Sequence, residues 1–250
     1  MAEVVFKVLS KKECISSITQ FFCSSNLPFG RMQEYIAYNF NLDLAKLEKL
    51  DEEERIAFLN EVLSPVYHSC LKKMEQKREE IEKLFNENKE EIFSTLENVF
   101  GCKLNRTITC GVMFNTTCPR YLSEFAFEVN YNTSNEQMLE TIIHELIHFY
   151  YFEKWKEVFP DYDESTFECP HLIWLLSEMS IEPLFKKTAL NSFCLSPYPA
   201  YNYFYGECLF GENVMEKLNT LFSSNNITSY FKEALKYIYE NEDFFRNLTN

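Results

Sequence analysis

Apolar residues recur at helical spacing through the second half of the first hundred residues. Between about Ala45 and Phe100 they keep mostly to one face of a helix, as an amphipathic helix requires. The members of this stripe are Leu71, Met74, Ile81, Leu84, Phe85 and Ile92. The stretch from Lys72 to Glu91 is rich in Lys and Glu, which is typical of a solvated helix face. We predict that residues 1–100 form an N-terminal helical region.

Two strands are predicted after this region. Residues 107–114 are rich in β-branched and apolar side chains, which favours a strand. Residues 125–131 alternate between large apolar side chains and smaller or polar ones. The large apolar set is Phe125, Phe127, Val129 and Tyr131. This pattern predicts a half-buried second strand, which suits the edge of a small sheet.

Helices follow the strands. Ser134 can cap a helix, and Gln137, three residues later, can complete a capping box. Helical periodicity then continues to about Val158. A second helix is predicted from about Pro170 to Ile181, where Pro is tolerated in the first turn, with a disturbance at Pro183.

One or two further helices are predicted over residues 218–239. The order of helices, strands and again helices indicates a predominantly helical α+β fold. We therefore divide the chain into the N-terminal helical region, residues 1–100, and a second region, residues 101–250, which carries the sheet and the later helices.

Charge and cysteine content narrow the choice of partners and compartment. A formal net charge of −14 without a sustained basic run argues against nucleic-acid binding. The sequence starts without a signal-peptide pattern and has no run of about 18 apolar residues, so we expect no membrane partner. Nine cysteines without a Cys-x-x-Cys pair favour reduced thiols and a cytoplasmic protein.

The segment from His144 to His148 reads His-Glu-Leu-Ile-His and holds two of the four histidines of the chain. On a helix, side chains four residues apart lie about 40° apart around the axis, so both imidazoles project from one face. Imidazole nitrogens are common zinc ligands, and one rigid helix can supply two of them. Glu145 lies about 100° from His144, within reach of a water on the metal. The pattern predicts one Zn²⁺ per chain, with Glu145 as general base.

A catalytic zinc site needs a third protein ligand, and several downstream residues could supply it. The candidates are Glu168, Cys169, His171, Glu178 and Glu182. Glu178 lies in an apolar helix, where burying a carboxylate without a partner is costly and a metal would offset the cost. Glu182, one turn later, could be a ligand or could orient a histidine from behind. His171 would instead give a site of three histidines.

The segment Thr141–His148 resembles the active-site helix of the zincin metallopeptidases. The later segment Leu172–Glu178 resembles the glutamate-bearing second helix of the gluzincin branch, which includes thermolysin-like enzymes and aminopeptidase N relatives. The zinc ligands that the resemblance implies are His144, His148 and Glu178. It also implies that Glu145 activates water, and it spans about residues 105–185. The implied architecture is a small sheet, an active-site helix and a glutamate-bearing helix, which would make residues 101–250 a zincin-like catalytic region, either separate from residues 1–100 or continuous with them.

The resemblance also implies a peptide or protein substrate, because zincins pair an edge strand with extended substrate. Residues 124–131 match that strand in position, and strand addition is a general way to hold a peptide. Peptide hydrolysis needs a hydrogen-bond donor for the oxyanion, and Tyr203 in the cluster 201–205 is a candidate. Two alternatives stay open: a zinc hydrolase of non-peptide amides, and a binding or regulatory protein that keeps the helix without catalysis.

Overall fold

A computed structural model describes residues 2–23, 30–224 and 226–248. The fold is predominantly helical with two small sheets, as the predicted α+β class requires. The helices are α1 (Lys11–Cys23), α2 (Gly30–Phe40), α3 (Leu44–Leu47), α4 (Glu52–Phe100), α5 (Asn135–Val158), α6 (Leu172–Lys186), α7 (Val214–Ser223), α8 (Ile227–Glu240) and α9 (Glu242–Asn247). The strands are β1 (Glu3–Val8), β2 (Thr107–Met113), β3 (Arg120–Tyr121), β4 (Ala126–Asn130), β5 (Cys208–Leu209) and β6 (Glu212–Asn213). None of the helices in these stretches combines the length and apolarity needed to cross a bilayer.

The chain forms two compact units. The sheet unit contains Ala2–Glu87 and Arg106–Ile142, and the helical unit contains Asn88–Asn105 and Ile143–Asn250. Of the three boundaries in the described part of the chain, two fall inside helices, α4 and α5, and the third lies between Asn105 and Arg106, just before β2. The division into residues 1–100 and 101–250 stays a prediction, because a compact set of contacts does not establish an independently folding domain.

The N-terminal region is helical as predicted over most of its length. The apolar stripe belongs to α4, which is 49 residues long. Four stripe residues are buried: Met74, Ile81, Phe85 and Ile92. The region also contributes a strand that the sequence analysis did not predict. This strand, β1, contains the β-branched and aromatic run 4–6, which suits a strand but is too short to show a period.

The sheet unit contains a four-stranded mixed sheet in the order β1-β2-β4-β3. β2 is parallel to both of its neighbours, β1 and β4, whereas the two-residue β3 is antiparallel to β4. The predicted strand at 107–114 is confirmed as β2. Gly111 in β2 lacks a side chain where Leu9 packs closely, since a Cβ there would lie 2.7 Å from Leu9 Cδ2.

The second predicted strand is present as β4, but the predictions of half-burial and of an edge position are wrong. Phe127 to Asn130 are all buried, on both faces of the strand. β2 pairs along one side of β4, and β3 covers residues 126–127 on the other. The polar face is buried because a protein partner replaces water: Ser17 Oγ of α1 donates to Glu128 Oε2 at 2.6 Å.

The helical unit is organised around α6. Every residue from Leu172 to Phe185 is buried, and the helix packs against α7 and α8. Pro183 does not end the helix, which continues to Lys186. The proline removes one backbone donor, and the burial of the surrounding turn outweighs that loss. The helices predicted over 218–239 are confirmed as parts of α7 and α8.

Candidate metal centre

Helix α5 starts and ends where the sequence predicts. Ser134 Oγ accepts a hydrogen bond from the backbone N–H of Gln137 at 3.2 Å, and Gln137 Oε1 accepts one from the N–H of Ser134 at 3.4 Å. This reciprocal pair is the predicted capping box, and it fixes the first turn. The helix then runs to Val158, so the four-residue spacing of His144 and His148 sets both on one face.

The two imidazoles meet on that face. Nε2 of His144 lies 3.1 Å from Nε2 of His148. The ring centroids are 4.9 Å apart and the ring planes are inclined at 61°. Each ring therefore presents the same nitrogen to one common point.

Helix α6 brings Glu178 to the same point. Its Oε2 atom lies 3.5 Å from Nε2 of His144 and 3.4 Å from Nε2 of His148. In the described parts of the chain, these three residues are the one group of His, Cys, Asp or Glu side chains arranged to share a metal ion. The structure thus assembles the trio that the sequence analysis favoured, and zinc binding by it stays a prediction.

The spacing of the three atoms fits a tetrahedral zinc site. Zinc bonds of about 2.0–2.1 Å place neighbouring tetrahedral ligand atoms about 3.3 Å apart. The separations of 3.1, 3.4 and 3.5 Å lie close to this value. Two imidazoles and one carboxylate are also a donor set that catalytic zinc sites use, with a fourth position left for water. Hydrogen bonds alone can hold the same contacts only if at least one Nε2 atom carries a proton.

The centre is open on one side. The His144 side chain is 23 % exposed, whereas those of His148 and Glu178 are 0 % and 4 % exposed. Water can therefore reach the group past His144, while the other two ligand candidates are shielded. Glu145, the predicted general base, follows His144 on α5 and is buried.

The Glu178 carboxylate affects the pKa values of two other side chains, those of Tyr203 and Cys169. Burial, and next the Glu178 carboxylate, raise the pKa of the Tyr203 hydroxyl above its ordinary range. The same two causes, in the same order, raise the pKa of the Cys169 thiol. Both groups therefore keep their protons at neutral pH, and the Tyr203 hydroxyl can donate a hydrogen bond.

Other sequence candidates lie elsewhere. Glu182 Oε2 accepts a hydrogen bond from the Tyr205 hydroxyl at 2.6 Å, and Glu182 Oε1 lies 3.3 Å from Lys186 Nζ. Glu182 does not belong to the group of three side chains that could share an ion, and its predicted supporting role at the centre stays a prediction. His171 caps the start of α6 without a side-chain capping bond and is exposed. The hydrogen bond of Tyr205 to Glu182 was not predicted from the sequence, where its one signal is the alternation of tyrosines at 201, 203 and 205.

A cavity in the helical unit is a separate feature. It has a volume of about 900 Å³ and is lined by Thr95, 98–101, Lys154, 187–189, Phe222 and 226–229. None of the three candidate ligands lines it, so the candidate metal centre lies outside this cavity.

The chain matches no family model, no curated protein and no solved structure. The resemblance to gluzincins accordingly stays a prediction.

Proposed function

We propose that this protein is a zinc-dependent hydrolase, and that its substrates are peptides. The observation that supports this proposal is the convergence of His144, His148 and Glu178 from two helices at zinc-like spacing. The glutamate that follows the first histidine adds a buried proton acceptor beside the same centre.

In this proposal, His144, His148 and Glu178 hold the ion. Zinc, when bound, would polarise the scissile carbonyl and lower the pKa of a water molecule toward 7. The carboxylate of Glu145 would accept the proton of the attacking water and pass it to the leaving amine. The Tyr203 hydroxyl, protonated at neutral pH, donates a hydrogen bond to the oxygen on which charge develops.

The first test is the zinc content of the purified protein, measured by elemental analysis after dialysis without chelator. We expect about one zinc ion per chain, as a site with three protein ligands implies. Zinc that is absent and not taken up on titration would mean that the two histidines and Glu178 form a hydrogen-bonded cluster. The hydrolase proposal would then fail.

Replacing Glu178 with Gln is expected to weaken zinc binding by at least about tenfold, because the amide keeps the shape but loses the charge that a metal ligand supplies. Affinity would be measured by competition with a chromophoric chelator. The matched control is Glu182→Gln, a buried carboxylate on the same helix that is bonded to Tyr205 and Lys186. Equal losses in both variants, or wild-type affinity in Glu178→Gln, would contradict the ligand assignment.

A second candidate function is hydrolysis of a non-peptide amide, and the sheet supplies the observation that favours it. Residues 126–127 of β4 are already paired with β3, and the N–H of Glu128 donates to the Pro119 carbonyl at 3.0 Å. An extended peptide therefore cannot add along this part of β4 as it adds to an exposed edge. Parallel assays of a peptide library and a set of N-acyl amides separate the two substrates. Zinc binding without turnover of either would favour a non-catalytic binding protein.

A further inference from the structure

Two tyrosines form an exposed aromatic surface in the helical unit. The rings of Tyr201 and Tyr203, called here the tyrosine pair, have centroids 5.8 Å apart and planes inclined at 18°. The residues are 42 % and 40 % exposed, respectively. Trp174 of α6 lies behind Tyr201 at 6.5 Å between centroids, and Phe204 contacts Tyr203 at 4.3 Å. The pair is therefore held in place by buried aromatic residues while part of its own ring surface faces solvent.

The tyrosine pair adjoins the candidate metal centre. Trp174, whose ring centroid lies 6.5 Å from that of Tyr201, precedes Glu178 by about one turn of α6. Burial, and next the Glu178 carboxylate, raise the pKa of the Tyr203 hydroxyl, as expected of a tyrosine beside that turn. The exposed Glu168 lies just before α6. A peptide held at the centre thus has an aromatic surface and an acidic residue beside it.

The excess of carboxylates in this part of the chain favours a cationic side chain on that surface. Between Lys156 and Lys217 the sequence contains ten carboxylates against two lysines, Lys186 and Lys187. Three of the ten, Glu157, Glu164 and Glu212, lie 2.7–3.3 Å from Lys154, Lys156 and Lys217, so the stretch together with these lysines has five more carboxylates than lysines. Lys186 lies 3.3 Å from Glu182, which already offsets part of its charge. An aromatic face in such a negative field attracts cations, and a planar guanidinium stacks on tyrosine better than an ammonium does.

We propose that the tyrosine pair binds an arginine side chain of the peptide substrate, close to the bond that is cut at the metal centre. This inference rests on the proposed peptide hydrolase. It gives the enzyme a way to select a peptide through a side chain, where β4 offers no free edge over 126–128 for the peptide backbone. It also assigns a use to the excess negative charge of this region, since a basic substrate is attracted from a distance.

Peptide binding to the zinc-loaded Glu145→Gln variant tests the inference without consuming the peptide. The probes are hexapeptides that differ at one scanned position, which carries Arg, citrulline or Phe. Citrulline keeps the shape of arginine and removes its charge. At one position we expect Arg to bind about threefold to thirtyfold more tightly than citrulline, with the ratio falling as salt is raised. Equal affinity for Arg and citrulline at every position would overturn the inference, as would tightest binding by Phe.

A second variant assigns the preference to the tyrosine pair. Tyr201→Leu, made in the same background, keeps apolar bulk but removes the ring face, so the Arg-to-citrulline ratio is expected to fall close to one with zinc content unchanged. The control is Tyr38→Leu, an 86 % exposed tyrosine in the sheet unit. A ratio unchanged by Tyr201→Leu would overturn the inference. Failure to retain zinc would overturn the proposed function and this inference together, whereas zinc retained with no Arg preference overturns this inference alone.

Discussion

Replacing Glu145 with Gln is expected to lower kcat for peptide hydrolysis by about 100-fold to 10 000-fold and to leave one zinc ion per chain in place. Gln has nearly the shape of Glu, so α5 and the two histidines beside it keep their positions. The amide cannot accept a proton at neutral pH, so the water is no longer activated. The measurement is single-substrate kinetics with a fluorogenic peptide, together with elemental analysis of the same sample.

Glu153→Gln is the matched control, because Glu153 lies on the same helix and is exposed to solvent. We expect it to retain wild-type kcat and zinc content. Loss of zinc in Glu145→Gln would assign Glu145 to metal binding, and full activity in that variant would place the general base elsewhere. Either result contradicts the role proposed here.

The local half of the candidate centre was predictable because its geometry is set within one helix. Ser134 and Gln137 cap α5 by bonds that depend only on their three-residue spacing. His144 and His148 then share a face because of the helical period, and their Nε2 atoms lie 3.1 Å apart. No long-range packing information was needed for either step.

The identity of the third member of the centre depends on how α6 packs against α5. Residue spacing along the sequence does not determine that packing. Glu178 and Glu182 lie one turn apart on α6 and are both buried, so the sequence left both open as ligands. In the structure one carboxylate reaches the histidines, and the other is held by Tyr205 and Lys186. The tyrosine lies 23 residues beyond Glu182 in sequence, which explains why its hydrogen bond could not be anticipated.

The strands of the four-stranded sheet were likewise predictable from local patterns, whereas their pairing was not. Both predicted strands formed, because β-branched and alternating patterns are local signals. Their neighbours were not predictable, since β1 and β2 pair across about a hundred residues of intervening chain. The alternation in β4 also suggested a solvated polar face, where Glu128 instead lies buried beneath α1. Because Glu128 is buried, its ionisation is expected to change the stability of the fold.

Glu128 occupies a polar cluster in the sheet unit. Its Oε2 atom accepts a hydrogen bond from Ser17 Oγ at 2.6 Å, and its Oε1 atom accepts one from the Tyr121 hydroxyl at 3.3 Å. Gln20 Nε2 donates to the same tyrosine oxygen at 2.9 Å. Burial raises the pKa of Glu128 to about 7 from an ordinary value of 4.5, and these hydrogen bonds only partly oppose the rise. The folded protein therefore holds a proton on Glu128 that the unfolded chain releases at lower pH.

The stability that Glu128 contributes is expected to be complete below about pH 4.5 and to be lost as the pH rises through about 7. The folded state binds the proton more tightly, so raising the pH favours the unfolded chain, by up to about 3 kcal/mol at pH 8. Glu128→Gln removes the charge and keeps hydrogen-bonding atoms for Ser17 and Tyr121. We expect the variant to match the wild type near pH 4.5 and to exceed its unfolding free energy by up to about 3 kcal/mol at pH 8.

Urea unfolding at several pH values measures this difference. The variant is compared with the wild type at each pH, so the contributions of other titrating groups, including the histidines of the metal centre, cancel. Glu124→Gln, an exposed carboxylate just before the same strand, is expected to follow the wild-type curve at every pH. A Glu128→Gln variant less stable than the wild type at pH 8 would show that Glu128 is ionised there and is stabilised by Ser17 and Tyr121 strongly enough to outweigh its burial. The contacts between α1 and β4 would then be stabilised by an ionised Glu128 and not by a protonated one.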